Sequence, residues 1–126
     1  MNIPDDLLYS KDHEWVSVQG DAARVGITDY AQDALGDVVY VDLPRVGDQV
    51  EAGSSFSEVE STKSVSELYA PVSGTITEVN DELADTPERV NEDPYGEGWI
   101  VLIEMSSPVE LDALLDGAAY GALIES

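Results

Sequence analysis

The sequence predicts a mainly β protein, a sandwich of short strands with a short helix near residues 29–35 and further helices at the C-terminus. Short runs rich in β-branched and aromatic residues alternate with turns that contain glycine, proline or aspartate, which is typical of strands. Two loosely similar segments, residues 46–50 and 72–76, flank a central hairpin and suggest a pseudo-symmetric sandwich. With 126 residues, of which 43% are hydrophobic, the chain can form one core, and we expect residues 1–126 to be a single domain.

The N-terminal part predicts a hairpin followed by a helix. Residues 15–18 and 22–27 are rich in strand formers, and a glycine-containing turn joins them. Thr28 or the residue after it can cap a helix over residues 29–35, whose apolar side chains share one face. Gly36 then stands where a glycine commonly ends a helix.

The middle of the chain predicts three further strand regions. Residues 38–43 are the strongest strand candidate, and their β-branched and aromatic run predicts burial on both sides for part of the length. Residues 55–69 predict two strands joined by a tight turn, with Lys63 at or beside its tip. Residues 75–79 predict the strand that follows.

The C-terminal part predicts one more core strand and two short helices. Residues 83–98 are acidic, and we expect them to be irregular apart from one helical turn at residues 87–90. Residues 99–105 predict a core strand, and residues 107–110 match a capping box with proline at the first helical position. A final turn or short helix is expected over residues 118–124. The side chains expected to pack from these helices are Leu111, Leu114, Leu115, Tyr120, Leu123 and Ile124.

The charge balance excludes two classes of partner. Five Lys and Arg residues stand against 27 Asp and Glu residues, which gives a net charge of −22. Nucleic acid and anionic membrane surfaces would repel such a chain, so neither is an expected partner. The acids are spread along the sequence, and this acidic surface favours a halophilic organism with a high-salt cytoplasm over an ordinary acidic domain.

Three further features favour a cytoplasmic protein. No apolar run approaches the roughly 20 residues that a membrane helix needs. The N-terminus lacks the basic and apolar regions of a secretory signal. The chain has no cysteine, which excludes disulfides, thiolate metal sites and cysteine nucleophiles.

The sequence offers little support for an enzyme. His13 is the sole histidine, and no nucleophile elbow accompanies it, so its proximity to an aromatic residue favours a role in local packing. No glycine-rich phosphate loop precedes a helix, and no spacing typical of a metal site is present. We therefore expect neither catalytic residues nor a resident metal.

Lys63 is chemically conspicuous, because Lys11 is the only other lysine of the chain. A carrier needs a tethering atom on a protruding turn, so that a flexible arm can visit other active sites. A lysine at a hairpin tip supplies an amine that can become an amide. Because lysine amines are almost wholly protonated at neutral pH, an external ligase would have to deprotonate it. A solvated surface lysine is the commoner explanation of the turn taken alone.

Several stretches together resemble one known family, the H protein of the glycine cleavage system. The resemblance covers almost the whole chain in matching order, and the set of motifs is far more specific than any one of them. The matching stretches are residues 13–16, 25–32, 35–39, 60–64, 70–74, 79–80 and 91–99.

This resemblance implies a barrel-sandwich hybrid fold and a lipoyl group on Lys63, as N6-lipoyllysine. In such proteins the lipoyl arm accepts an aminomethyl group from the pyridoxal-phosphate-dependent glycine decarboxylase (P protein). It delivers that group to the tetrahydrofolate-dependent aminomethyltransferase (T protein), and dihydrolipoamide dehydrogenase (L protein) reoxidises the dithiol. A lipoate ligase or lipoyltransferase attaches the arm. The carrier itself is not an enzyme and is most simply a monomer.

The family folds its loaded arm back against its own surface, and the acids that match here are Glu14 and Glu67. A carboxylate suits this task, because it can hold a protonated amine by a charge-assisted hydrogen bond. The chain departs from the family pattern around these positions. Thr62 and Ser64 flank the lysine where valine and alanine are common, and Asp12 stands where serine is frequent. Ala34 replaces a histidine of some members, and Glu67 replaces the usual aspartate.

Three alternatives stay open at this point. Biotin carriers share the fold, but they usually flank the lysine with methionine on both sides. A lipoyl relay protein that serves other lipoate-dependent complexes would have the same attachment site without glycine cleavage. An unmodified β-sandwich interaction module would carry a free lysine.

Overall fold

Two antiparallel sheets dominate the computed structural model, which describes residues 2–125. The strands are β1 (Leu8–Tyr9), β2 (Glu14–Gln19), β3 (Ala22–Ile27), β4 (Val38–Asp42), β5 (Gln49–Val50), β6 (Ser55–Ser61), β7 (Val65–Tyr69), β8 (Gly74–Val79) and β9 (Val101–Met105). The helices are α1 (Asp29–Leu35), α2 (Glu82–Asp85), α3 (Arg89–Glu92), a 3₁₀ helix (Pro108–Ala113) and α4 (Gly117–Glu125). The prediction of a mainly β fold is confirmed.

The sheets have six and three strands. Their orders are β1-β2-β3-β9-β8-β5 and β4-β6-β7, and across residues 2–125 neither sheet closes into a barrel. Fully buried side chains from both sheets meet in one core, among them Val16, Val59, Ile76 and Ile103. Within residues 2–125, no helix has the length and apolar character needed to cross a membrane.

Helix α1 begins and ends as its capping residues predict. The Thr28 hydroxyl accepts a hydrogen bond from the Ala31 N–H at 3.2 Å. Gly36 ends the helix with φ of +85°, a backbone conformation that side chains disfavour, and its N–H donates to the Gln32 carbonyl. The sequence alone predicts both ends of α1, because the hydrogen bonds that cap each end come from residues within four positions.

Strand β4 lies where it was expected, but the prediction that it is buried on both sides is wrong. Val39 is 53% exposed and Tyr40 is 49% exposed. The pairing of β4 with β6 shifts register between Val38 and Tyr40, so two successive side chains reach solvent. Because β4 is an edge strand of the small sheet, its β-branched run satisfies strand propensity without burial.

The segment expected to be irregular over residues 83–98 contains part of α2 and all of α3 instead. Leu83 and Val90 are fully buried and anchor these short helices in the main core. Asn91 then ties the segment to the end of α1. Its side chain accepts from the Val38 N–H at 2.8 Å and donates to the Gly36 carbonyl at 2.9 Å.

The predicted capping box at residues 107–110 is wrong. Ser107 makes no side-chain cap, and the following helix is a 3₁₀ helix. The carboxylate of Glu110 instead accepts from the N–H and hydroxyl of Ser73, at 2.8 and 2.9 Å. A distant partner therefore outcompetes the local cap that the sequence pattern suggests.

Helix α4 confirms the final helix, with one exception in its packing. Tyr120 is fully buried in an aromatic cluster with Tyr9 and Trp15, and Ile124 packs against that cluster. Leu123 is 40% exposed, so the expectation that it packs inside is wrong. Tyr120 and Ile124 are four residues apart and lie on the face that packs against the cluster, and Leu123 lies at the solvent edge of that face.

Candidate functional site

The hairpin turn that carries Lys63 is held by its own backbone and by one serine. The Ser61 N–H donates to the Ser64 carbonyl at 2.8 Å, and the Ser61 hydroxyl accepts from the N–H groups of Lys63 and Ser64, at 3.3 and 3.1 Å. The Thr62 N–H donates to the Asp37 carbonyl at 3.0 Å, which ties the turn to the loop after α1. The exposed lysine therefore stands on a fixed turn.

The Lys63 side chain extends along the end of α1. A Cβ placed on Gly36 would lie 3.2 Å from Cε and 3.8 Å from Nζ of Lys63. The glycine that ends the helix thus also leaves room for the lysine stem. The chain neighbours of these two residues, Leu35 and Ser64, line a surface cavity.

That cavity, which we call the α1 groove, has a volume of about 270 Å³ and lies between α1 and β7. Its apolar lining comes mainly from Ile27, Ala31, Leu35 and Leu68, and Ser64 and Val65 line it beside the lysine. Tyr30, Asp12 and His13 also line it and supply its polar groups. The groove can hold a flexible apolar chain attached to Lys63, with polar groups near its reactive end.

Glu14 is not an open surface acid. It is 1% exposed, its Oε1 accepts from the Ser10 hydroxyl at 2.6 Å, and its Oε2 accepts from the Tyr69 N–H at 3.3 Å. Burial raises its pKa to about 7, despite these two hydrogen bonds. Glu14 borders a second cavity of about 370 Å³, and Asp12 lines both this cavity and the α1 groove.

Glu67 is exposed on β7 and accepts a hydrogen bond from the Tyr69 hydroxyl at 3.2 Å. The pKa of that hydroxyl is raised, first by this hydrogen bond and also by the charges of Asp12 and Glu14. The structure therefore brings the two predicted acids together around Tyr69, with Asp12 as a third. Across residues 2–125, no hydrogen bond or ion pair joins Glu14 or Glu67 to Lys63.

The buried carboxyl of Glu14 predicts a specific pH dependence of stability. Its pKa is about 7 in the folded chain, against an ordinary value of 4.5 for a glutamate, so the folded state binds more protons between these values. The contribution to stability is fully present below pH 4.5 and is lost as pH rises toward 7. We expect Glu14→Gln to remove this loss, so that the difference in unfolding free energy between variant and wild type changes by about 2–3 kcal/mol from pH 5 to pH 8.

Urea unfolding at both pH values measures this difference, and Glu67→Gln is the matched control because it makes the same change at an exposed position. A difference between Glu14→Gln and wild type that stays constant with pH would contradict the prediction.

Sequence reasoning missed the surroundings of His13. Its Nδ1 lies 2.8 Å from the hydroxyl of Tyr120, which is 107 residues away, and its ring packs against Tyr30 with centroids 4.7 Å apart. The interpretation of His13 as locally packed captured only the proximity to aromatic residues. No local signal could have identified Tyr120.

A sequence model described as "Glycine cleavage H-protein" matches residues 7–126. The chain belongs to the glycine cleavage H-protein family. Two bacterial relatives named glycine cleavage system H protein support this placement. That of Anaeromyxobacter sp. (strain K) is 61% identical over 99% of this chain and 98% of its own. That of Myxococcus xanthus is 56% identical over 99% of this chain and 97% of its own.

A solved structure agrees with the sequence relatives. The crystal structure of a glycine cleavage system H protein from Mycobacterium marinum is 45% identical, with a TM-score of 0.91. The match covers 98% of this chain and 100% of that one. The fold described above is therefore that of the H-protein family.

The H-protein family carries the aminomethyl group of glycine on a lipoyl arm, from the P protein to the T protein, and works with the L protein. This chain is accordingly a lipoyl carrier component of glycine cleavage and not itself a catalyst. Lipoate is the cofactor that the family implies.

Proposed function

We propose that Lys63 is the residue of this chain that carries lipoate, as N6-lipoyllysine. The observation that supports this most strongly is the fixed turn of Ser61 and Ser64, which presents an exposed amine directly beside an apolar groove. A lipoate ligase or lipoyltransferase would form the amide with Nζ of Lys63. The arm then turns about the lysine stem, either outward to a partner or back into the α1 groove.

The α1 groove suits the arm because the acyl chain and the dithiol are largely apolar. Ile27, Ala31 and Leu68 offer an apolar lining of matching character, and water would be excluded from a chain that lies there. At the polar part, Asp12 is the carboxylate that lines the groove. We propose that Asp12 holds the protonated amine of the aminomethyl cargo by a charge-assisted hydrogen bond.

Glu14 and Glu67 have secondary roles in this proposal. Both add negative charge around Tyr69, on the same side as Asp12, and this field favours the protonated amine. Glu14 would contact the cargo directly only in the second cavity, where it lies with Asp12 and Ser10. The proposed carrier acts in the cytoplasm as a monomer that visits the P, T and L proteins in turn.

Intact mass and peptide mapping of the protein from its native host test this function. We expect a lipoyl increment on Lys63 and glycine-dependent loading of the arm by a P protein. Lipoylation without loading would favour a relay protein that serves other complexes. A biotin increment would indicate a biotin carrier, and an unmodified Lys63 would indicate an interaction module.

A further inference from the structure

His13 is held in one orientation by strained backbone and by two aromatic rings. Its φ of +71° is uncommon for a residue other than glycine, and such strain persists where the surroundings fix it. Its N–H donates to the Ser10 carbonyl at 3.2 Å, and its carbonyl accepts from the Thr28 N–H at 3.0 Å. The ring packs against Tyr30 and, edge-on, against Tyr120.

A chain of buried hydroxyl groups ends at this ring. The Tyr120 hydroxyl lies 2.8 Å from Nδ1 of His13 and 2.7 Å from Oγ1 of Thr28. Oγ1 of Thr28 already accepts from the Ala31 N–H at 3.2 Å. Thr28 and Tyr120 are both fully buried, so bulk water does not reach their hydroxyl groups.

The number of hydroxyl hydrogens determines which group donates and which accepts in the hydrogen bonds from Thr28 through Tyr120 to His13. If Thr28 donates to Tyr120 and Tyr120 donates to Nδ1, every hydroxyl hydrogen has an acceptor. If Nδ1 carries the hydrogen instead, Tyr120 donates to Thr28, and the buried Thr28 hydroxyl finds no other acceptor among residues 2–125. Folded proteins rarely leave a buried donor unsatisfied. The first direction therefore prevails, and it leaves the hydrogen of the neutral imidazole on Nε2.

Nε2 is the ring nitrogen outside this network, and it has no hydrogen-bond partner among residues 2–125. Among the described residues, the sole buried side-chain nitrogen or oxygen without a partner is Nε of Arg24. The unpartnered Nε2 of His13 is therefore reached by solvent. His13 is also one of the residues that line the α1 groove. His13 contacts Tyr30, which is five residues before Leu35, so the ring lies about 7–8 Å along α1 from the end near Lys63. The amide of an arm on Lys63 would stay beside the lysine, whereas its sulphur atoms would reach His13.

We propose that Thr28 and Tyr120 lock His13 as the Nε2–H tautomer, so that the ring presents a hydrogen-bond donor, and no base, to the sulphur end of the arm in the α1 groove. This inference rests on the proposed function, because the arm is the one carried by Lys63. His13 is thus a positioning residue, and Tyr120 acts through it from the core of the molecule.

The locked tautomer protects the cargo by withholding a lone pair. Loss of the cargo begins when a base takes a proton from the ammonium of S–CH₂–NH₃⁺. The nitrogen lone pair then forms C=N, and the C–S bond breaks with its electron pair on sulphur. Water adds to the iminium ion, and the products are the thiol, formaldehyde and ammonium. An Nε2 lone pair would be a base positioned at this site, whereas an Nε2–H group cannot accept the proton.

Nitrogen-15 NMR of the imidazole tests the lock without any arm, and the single histidine makes the assignment unambiguous. We expect a neutral ring with its hydrogen on Nε2 in the wild type. Tyr120→Phe should admit the Nδ1–H tautomer, since Nδ1 loses its donor. Tyr9→Phe is the matched control, because it removes a hydroxyl from the ring stacked on Tyr120 but not from the chain to His13. A wild-type ring with hydrogen on Nδ1, or no response to Tyr120→Phe, would overturn the proposal.

The rate at which the loaded protein loses its aminomethyl group tests whether the locked tautomer protects the cargo. On lipoylated, glycine-loaded protein we expect Tyr120→Phe to lose the group roughly tenfold faster, a modest share of what a positioned base contributes. Adding His13→Asn to Tyr120→Phe should abolish the acceleration, because asparagine tolerates the left-handed backbone and provides no base. Equal loss rates in the single and double variants would overturn the protective role. An unmodified Lys63 in the intact-mass measurement would instead refute the proposed function and leave the NMR result standing.

Discussion

Replacing Lys63 with arginine is expected to abolish lipoylation completely, and with it every glycine-dependent loading of the chain. Amide formation needs a neutral amine that can attack an activated acyl group. A guanidinium stays protonated at any pH that the protein experiences and presents no such nucleophile. Arginine keeps the charge and the approximate length of the side chain, so the loss would reflect chemistry and not shape.

The fold should tolerate this change almost unaltered. Lys63 is exposed, and the turn is held by Ser61, whose bonds involve the backbone of residues 63 and 64. We expect the unfolding free energy to change by less than about 0.5 kcal/mol, as is usual for surface substitutions. Circular dichroism during urea unfolding measures this, and it separates a missing acceptor from a misfolded one.

Lys11→Arg is the matched control, because Lys11 is the other lysine and is also exposed. It should be lipoylated and loaded like the wild type. Labelling that survives Lys63→Arg, or disappears in Lys11→Arg, would place the attachment site elsewhere.

The sequence predicts those parts of the fold whose ends are fixed by contacts between residues that are close in the sequence. Thr28 and Gly36 bound α1 through contacts within four residues, and the hairpin over residues 55–69 has its turn between its own strands. The capping box failed because Glu110 binds Ser73, 37 residues away. A pattern of residue types cannot show that a distant partner competes for the same side chain.

The candidate site also has one part that the sequence predicts and another part that depends on distant contacts. Lys63 stands out from the sequence because lysine is so rare in the chain and because of the hairpin around it. The burial of Glu14 depends on Ser10 and on the Tyr69 backbone, which is 55 residues away, so its raised pKa has no local signature. The link between His13 and Tyr120 is longer still. Adaptation of the acidic surface to high salt stays a prediction.

Gly74→Ala is expected to be the most destabilising methyl addition, because Gly74 faces backbone that cannot move aside. A Cβ at this position would overlap the carbonyl oxygen of Glu104 and would lie 2.9 Å from Cγ2 of Ile103. Strand β8 lies between β9 and β5, and Gly74 pairs with Met105 on one side and Val50 on the other. Relief of the contact would require β8 and β9 to separate and lose ladder hydrogen bonds.

We expect Gly74→Ala to lower the unfolding free energy by more than about 3 kcal/mol, at the upper end of the cost of overpacking. Urea unfolding measures the loss, and Gly121→Ala provides the matched control. A Cβ at Gly121 would meet only Cδ1 of Ile3 at 3.6 Å, and alanine is the better helix former, so this variant should gain up to about 1 kcal/mol. The same methyl group then has opposite effects at two positions, which assigns the loss at Gly74 to the contact with Glu104. A Gly74→Ala variant as stable as the wild type would show that β8 and β9 are not packed as described.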